Sequence, residues 1–368
     1  MSYTILYITN GISGPGGLER VLSIKASYLA EKLNYEVHII TLNQGNITLF
    51  YDFSKLINHH DIKTSGNGVR YFLSYKKGLQ KVVSKVQPDI ILVCDDGLKG
   101  FFVPKIISYS CPMIYERHAS VSIFINKENL NFLDRVKFKL QKYFMHLGAK
   151  KYKAFVVLTN ENTKEWNLKN IKVIPNPLSF YPKTQSNLKN KKVITVGNHG
   201  FQKGYDRLLK SWKTISVNYP EWKLEIFGKI DPDKQHIKLI ETLGISDSVS
   251  FSPPIKDIQS KYLESAVYAM SSRSEGFGMV LIEAMACGLP CVSFDCPSGP
   301  KDIIDDNQNG FLVENGNINQ FTEKLITLID DFELRYFMGK NARLKAKMYL
   351  PEVIVPQWDK LFKKLIVN

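Results

Sequence analysis

The chain offers little that a disulfide scaffold or a metal centre needs. Its five cysteines, Cys94, Cys111, Cys287, Cys291 and Cys296, form no C-x-x-C pair. An odd count without such pairs argues against a disulfide framework. Cys287, Cys291 and Cys296 cluster in sequence but lack zinc-site spacing, so they read as buried apolar residues and no metal is expected. No uninterrupted apolar run reaches the length of a membrane span. The opening MSYTILYITNGIS has no basic leader before its apolar run and reads as a strand rather than a signal peptide. A cytoplasmic protein is the expectation. Repeats and low-complexity tracts are missing too. The 368 residues are enough for two ordinary domains.

Two nucleotide-binding fingerprints are also missing. The first strand, residues 3–9, runs into Asn10-Gly11-Ile12-Ser13-Gly14-Pro15-Gly16-Gly17. These glycines do not give G-x-G-x-x-G in register. The second strand, Glu36–Leu42, ends without an acid to hold ribose hydroxyls. Both points speak against a nicotinamide site. The second glycine-rich run, Gly197 to Gly204, is not followed by G-K-[ST], which excludes a Walker loop.

What is present is a strand, a glycine-rich loop, a helix and a strand, near 3–42 and again from Lys192. That order predicts two doubly wound α/β domains, with ligands at the carboxyl ends of the strands. We place the first at 1–180 and the second at 191–350. The polar stretch Ser179–Asn190, which carries Pro182, forms the linker. Further strands are expected at 89–93, 113–115, 154–158, 223–228, 249–251 and 291–294. A helix is expected over 262–268 and a strand over 269–271.

The charge is one-sided, +14 with a pI near 9.3, which suggests a polyanionic partner: nucleic acid, anionic lipid or phosphorylated substrate. No nucleic-acid-reading module is recognisable, so nucleic acid is set aside. Residues 131–153 hold seven Lys or Arg and one Asp, with Phe132, Leu133, Val136, Leu140, Phe144 and Leu147 at helical spacing. Such a helix suits an anionic membrane surface. It is also compatible with an ordinary helix whose lysines are solvated.

The densest signal is SSRSEGFGMVLIEAMACGLPCVSFDCPSGP, from Ser271 to Pro300. It reads as a loop with Glu275, a helix entered through Gly276-Phe277-Gly278, and a strand at 291–294. Free amides and the positive dipole end of a helix suit a phosphate. Glu275 and Glu283 can then flank the ligand, since carboxylates accept well from sugar hydroxyls.

This block resembles the donor-site signature of the retaining glycosyltransferases of family 4, which have the GT-B fold. GPGGLER at 14–20 is similar to that family's GG-x-E-R turn, and Ile174-Pro175-Asn176 to its interdomain segment. Gly197 to Gly204 is similar to its G-R-x-x-x-x-K-G loop, with Lys203 matching and Asn198 in place of the arginine. His199 and Arg273 are the nearby candidates for the missing charge. Pro297 to Ile304 resembles its G-P-x-E-I-I turn, with Asp302 replacing the glutamate.

The resemblance implies two Rossmann-like domains facing a cleft, with the final helix, 351–368, completing the first. It implies a nucleotide-sugar donor, UDP-linked by family habit, and no further cofactor. The acceptor would be a glycan or a polyprenyl-diphosphate-linked intermediate of a bacterial surface polysaccharide. That adds the inner face of the cell membrane as a peripheral location. By the same resemblance His118 and Glu275 contact the transferred sugar. Gly16, Gly17, Asn198, Lys203, Gly276, Phe277 and Gly278 surround the diphosphate. Gly228 and Ile255 border the base, and Glu283 holds the ribose. A sugar-nucleotide epimerase of the same fold, which makes no glycosidic bond, is the alternative.

Overall fold

The computed structural model describes residues 2–120 and 132–367. The chain divides into two units, 1–177 with 351–368, and 178–350.

The first unit opens with β1 (Thr4–Thr9), α1 (Gly17–Lys32), β2 (Glu36–Leu42) and β3 (Asn58–Ile62). Then come α2 (Val69–Val86), β4 (Ile90–Cys94), α3 (Leu98–Phe101), α4 (Val103–Ile106) and β5 (Met113–Glu116). It continues with α5 (Phe132–Ala149), β6 (Ala154–Val157), α6 (Asn160–Thr163) and β7 (Ile171–Val173). All strands pair in parallel in the order β3-β2-β1-β4-β5-β6-β7. Central strands such as Ile90–Cys94 are buried along their whole length, as a sheet covered on both faces requires.

In the second unit β8 (Lys192–Val196), α7 (Tyr205–Asn218), β9 (Lys223–Phe227), α8 (Gln235–Leu243) and β10 (Val249–Ser252) come first. They lead to α9 (Ile258–Leu263), β11 (Val267–Met270), α10 (Met279–Ala286) and β12 (Cys291–Phe294). Then follow α11 (Pro300–Ile303), β13 (Gly310–Val313), α12 (Ile318–Asp330) and α13 (Phe332–Ala346). The parallel order is β10-β9-β8-β11-β12-β13. Both units are therefore doubly wound α/β folds. Each reverses its strand order beside its first strand, at β1/β4 and at β8/β11, where such folds bind ligands.

The last helix, α14 (Pro351–Val367), belongs to the first unit. Its Ile354, Val355, Trp358 and Phe362 are buried with Leu22, Ala26 and Leu29 of α1.

Three expectations need adjustment. The helix and strand placed at 262–268 and 269–271 are instead Ile258–Leu263 and Val267–Met270. The Ser265 amide closes the helix on the Tyr262 carbonyl, and the fully buried Val267-Tyr268-Ala269-Met270 pairs with β8 and β12. The basic helix stops at Ala149, where Gly148 lies against the Phe101 backbone. Lys150–Lys153 form a turn, and residue 131 lies outside the described residues. Finally, β3 was not foreseen, because Asn-His-His-Asp-Ile is a polar edge strand with little apolar pattern.

Candidate functional site

At the β8/β11 switch point two loops lock together. The Arg273 amide donates to the Gln202 carbonyl (2.7 Å), Ser271 Oγ to the Lys203 carbonyl (2.8 Å) and Gln202 Nε2 to the Ser274 carbonyl (2.8 Å). Between them Lys203 Nζ donates to Glu275 Oε1 (2.8 Å), which also accepts from Ser272 Oγ (2.6 Å). Lys203 is partly open to solvent and Glu275 is buried. The two residues singled out for the donor diphosphate and the transferred sugar are thus one ion pair.

Past Glu275 the chain enters α10 through Gly278, whose φ of +98° is left-handed and favours glycine. The cap has no side-chain hydrogen bond. The helix tip is therefore built from main-chain groups of Gly276, Phe277 and Gly278. On the other side of β8, Gly228 follows β9 so close to the loop after β8 that a Cβ there would collide with the Gly197 carbonyl oxygen.

Glu283 is fully buried inside α10. Its Oε1 accepts from Ser179 Oγ (2.7 Å) and its Oε2 faces the Tyr262 hydroxyl (3.5 Å). Asn198 is exposed, and its Oδ1 accepts from the Lys229 amide (3.1 Å). Ile255 is half-buried after β10.

Neither candidate for the missing arginine is a free cation. Arg273 forms a two-pronged pair with Asp206 (2.8 and 2.8 Å) and also donates to the Phe201 carbonyl (2.9 Å). His199 is buried among Tyr205, His236 and Phe251. Burial, helped by His236, pushes its pKa down to about 4, so it is neutral at pH 7. A nearby lysine that the sequence reading did not single out is Lys229. It is exposed, directly follows Gly228, and is pinned beside Asn198 and His199 through its own backbone. The sequence signal was a lysine right after the glycine that follows a strand.

In the first unit Gly16 is half-buried and Gly17 exposed at the start of α1, with the Glu19 carboxylate folded over the loop. At the β1/β4 switch point Asn10 Nδ2 donates to Asp95 Oδ1 (2.9 Å), and burial raises the Asp95 pKa. His118 follows β5, with its Nε2 3.2 Å from Glu116 Oε1.

Helix α5 turns its apolar stripe outward. Phe132 (78% exposed), Leu133 (66%), Val136, Leu140, Phe144 and Leu147 are all exposed, and only Met145, Gly148 and Ala149 are buried. No helix among the described residues is long and apolar enough to cross a membrane.

The chain is similar to known proteins over most of its length. Residues 180–345 match the family described as glycosyl transferases group 1, and residues 15–179 match glycosyltransferase family 4. An uncharacterized glycosyltransferase of Haemophilus influenzae is 32% identical over 352 residues, 94% of this chain and 96% of that protein. The amylovoran biosynthesis glycosyltransferase AmsD of Erwinia amylovora is 29% identical, over 97% of this chain and 99% of its own. A mutant of S. aureus TarM, solved with fondaparinux, alpha-GlcNAc-glycerol and UDP, gives a TM-score of 0.81 at 17% identity, covering 98% of this chain and 99% of that one. At that identity the likeness shows the fold alone.

Proposed function

The chain belongs to glycosyltransferase family 4 and has the GT-B fold, and from that membership we propose the reaction it carries out. It moves a hexosyl or N-acetylhexosaminyl group from a UDP-sugar, with retention, to a glycan or polyprenyl-diphosphate-linked acceptor in bacterial surface polysaccharide assembly. The observation that carries this reading is the Lys203–Glu275 pair beside the α10 tip, at the switch point of the second sheet. The name of AmsD, an amylovoran enzyme, supports the polysaccharide setting, and the UDP bound to TarM supports the donor.

The chemical task is to hold a departing diphosphate and an oxocarbenium-like sugar with fixed charges and dipoles. Lys203, Lys229 and the amides of Gly276 to Gly278 take the phosphates. Glu275 faces the sugar, relieved of part of its bond to Lys203 when the diphosphate arrives. His118 touches the transferred sugar. Glu283 takes the ribose, where Ser179 Oγ already marks how a hydroxyl donates to its Oε1. No metal and no cofactor beyond the donor are invoked.

A thermal-shift and hydrolysis panel of nucleotide sugars tests the donor assignment, comparing wild type with Lys203→Ala. One UDP-sugar should stabilise the wild type and fail to stabilise the variant. An unshifted wild type across the panel would remove the assignment. Lys203 is a cleaner probe than Glu283, whose removal would leave Ser179 without its acceptor inside the protein.

The exposed apolar stripe and the lysines of α5 support peripheral binding to an anionic membrane surface. Flotation with anionic vesicles at low salt should carry the protein upward, and Leu140→Ser with Phe144→Ser should abolish it. Protein left at the bottom of the gradient would end that part of the reading.

A further inference from the structure

The first unit contains a charged pair that the proposed reaction does not use. Lys25, on the inward face of α1, and Glu116, the last residue of β5, are both 1% exposed. Their side chains meet through Lys25 Nζ and Glu116 Oε2, and Cys94 Sγ of β4 lies 3.3 Å from the same oxygen. The Lys25 ammonium also sits 4.0 Å from the Trp358 ring centroid of α14 and 5.3 Å from that of Tyr7 on β1. Enclosing two charges costs several kcal/mol per ion, on the order of what their attraction returns. Apolar residues of the same size would fill the space at least as well, so the pair needs a reason beyond stability.

The geometry supplies one. Glu116 has two oxygens, and Oε2 is committed to Lys25 and Cys94. Oε1 faces His118 Nε2 at 3.2 Å, within ion-pair distance although the ring is not turned into hydrogen-bonding alignment. His118 lies two residues after the strand and is partly exposed, so its ring joins this interior pair to the surface of the unit. Cys94, Glu116 and His118 lie close enough together to suggest a metal site. The Lys25 ammonium already occupies the carboxylate, and burial followed by the Glu116 charge pushes the Cys94 thiol up, away from the thiolate a metal would need. The cluster is built around a lysine.

We propose that Lys25 and Glu116 form a buried positioning dyad for His118. Glu116 Oε1 anchors the ring by Nε2 and leaves Nδ1 as the edge presented outward. Lys25 keeps the carboxylate ionised and holds it in place under the ring. Burial alone would raise the Glu116 pKa. Lys25 first and His118 second outweigh it and hold the carboxyl below the ordinary range. The charged and titratable groups facing the dyad are Cys94 on β4, Tyr7 on β1 and His118 itself. The inference rests on the assignment of His118 to the transferred sugar, but its test does not.

The test follows the His118 ring resonance by NMR against pH in the full chain, assigned by its loss in His118→Gln. Four proteins are compared: wild type, Lys25→Met, Lys25→Met/Glu116→Leu and Lys25→Met/Glu116→Gln. The doubles remove both charges together, so they fold even where the single variant does not. Relative to wild type, the proton affinity of the ring should rise about tenfold in Lys25→Met, which leaves the carboxylate uncompensated. It should fall in Lys25→Met/Glu116→Leu. The Gln variant, which keeps an acceptor oxygen, should hold the ring in its wild-type position by nuclear Overhauser contacts, while the Leu variant releases it. Identical titration and ring contacts in wild type and both doubles would overturn the dyad. Hydrolysis of UDP-N-acetylglucosamine and UDP-glucose by His118→Ala separates the two failures. Wild-type turnover there would sink the role of His118 alone and leave the dyad to the NMR result.

Discussion

Among the described residues, each unit has a buried or half-buried lysine–glutamate pair near the carboxyl ends of its strands, and these two pairs are built differently. Lys203–Glu275 joins two loops, and its lysine is 20% exposed. Lys25–Glu116 joins a helix to a strand and is sealed beneath Trp358. An ion pair that water can reach is able to open, exchange partners and accept an anion. One that water cannot reach is fixed, and passes its influence to whatever touches its edge. The difference lies in the element that carries the lysine. Lys203 extends from a surface loop, whereas Lys25 extends from a helix turn packed on a sheet.

The largest expected effect comes from breaking the sealed pair on one side. Lys25→Met leaves an uncompensated carboxylate in the interior and should cost ~3–5 kcal/mol, measured by denaturant unfolding. Replacing both partners with apolar residues should restore most of it. Next comes Lys203→Ala. Its lysine is partly solvated and Ser272 still donates to Glu275, so stability should fall less than in Lys25→Met, by roughly 1.5–3 kcal/mol. Donor turnover should fall ~100- to 1000-fold if Lys203 supports the leaving diphosphate. Equal stability losses in the two variants would erase the contrast.

A third prediction concerns His199 in the same second unit. Its folded pKa of about 4 lies below the ordinary histidine value of 6.5, so between these the unfolded chain binds the extra proton. Its contribution is fully present above about pH 6.5 and is lost as pH falls through about 4, up to ~3 kcal/mol in all. His199→Leu should flatten the fall in melting temperature across that window. The smallest effect belongs to α5. Leu140→Ser should alter stability by no more than ~0.5 kcal/mol, because that side chain is exposed, and yet reduce vesicle binding.

The sequence carried the repeated strand–loop–helix order, because glycine runs and apolar strands are local signals. The Lys203–Glu275 region was legible for the same reason: both residues sit in loops marked by glycines. Depth was not legible. Glu283 looks like any helix glutamate until Tyr262 and Ser179 are seen to enclose it. Arg273 reads as a spare cation until Asp206 is found across from it. Lys25 could not be read at all, since its partner lies 91 residues away on another element. A charged residue on a helix is by default a surface residue, and only the tertiary fold reverses that.

The placement of α14 has a consequence for synthesis. This helix lies over the α1 side of the first sheet, yet every residue of the second unit precedes it in the chain. As the polypeptide emerges, Leu22, Ala26, Leu29 and the Lys25 ammonium lack the cover of α14 until the whole second unit has been synthesised. The later unit is thus contiguous and can complete itself first, reversing the usual order in which N-terminal domains finish before the rest. The arrival of Trp358 then covers that face.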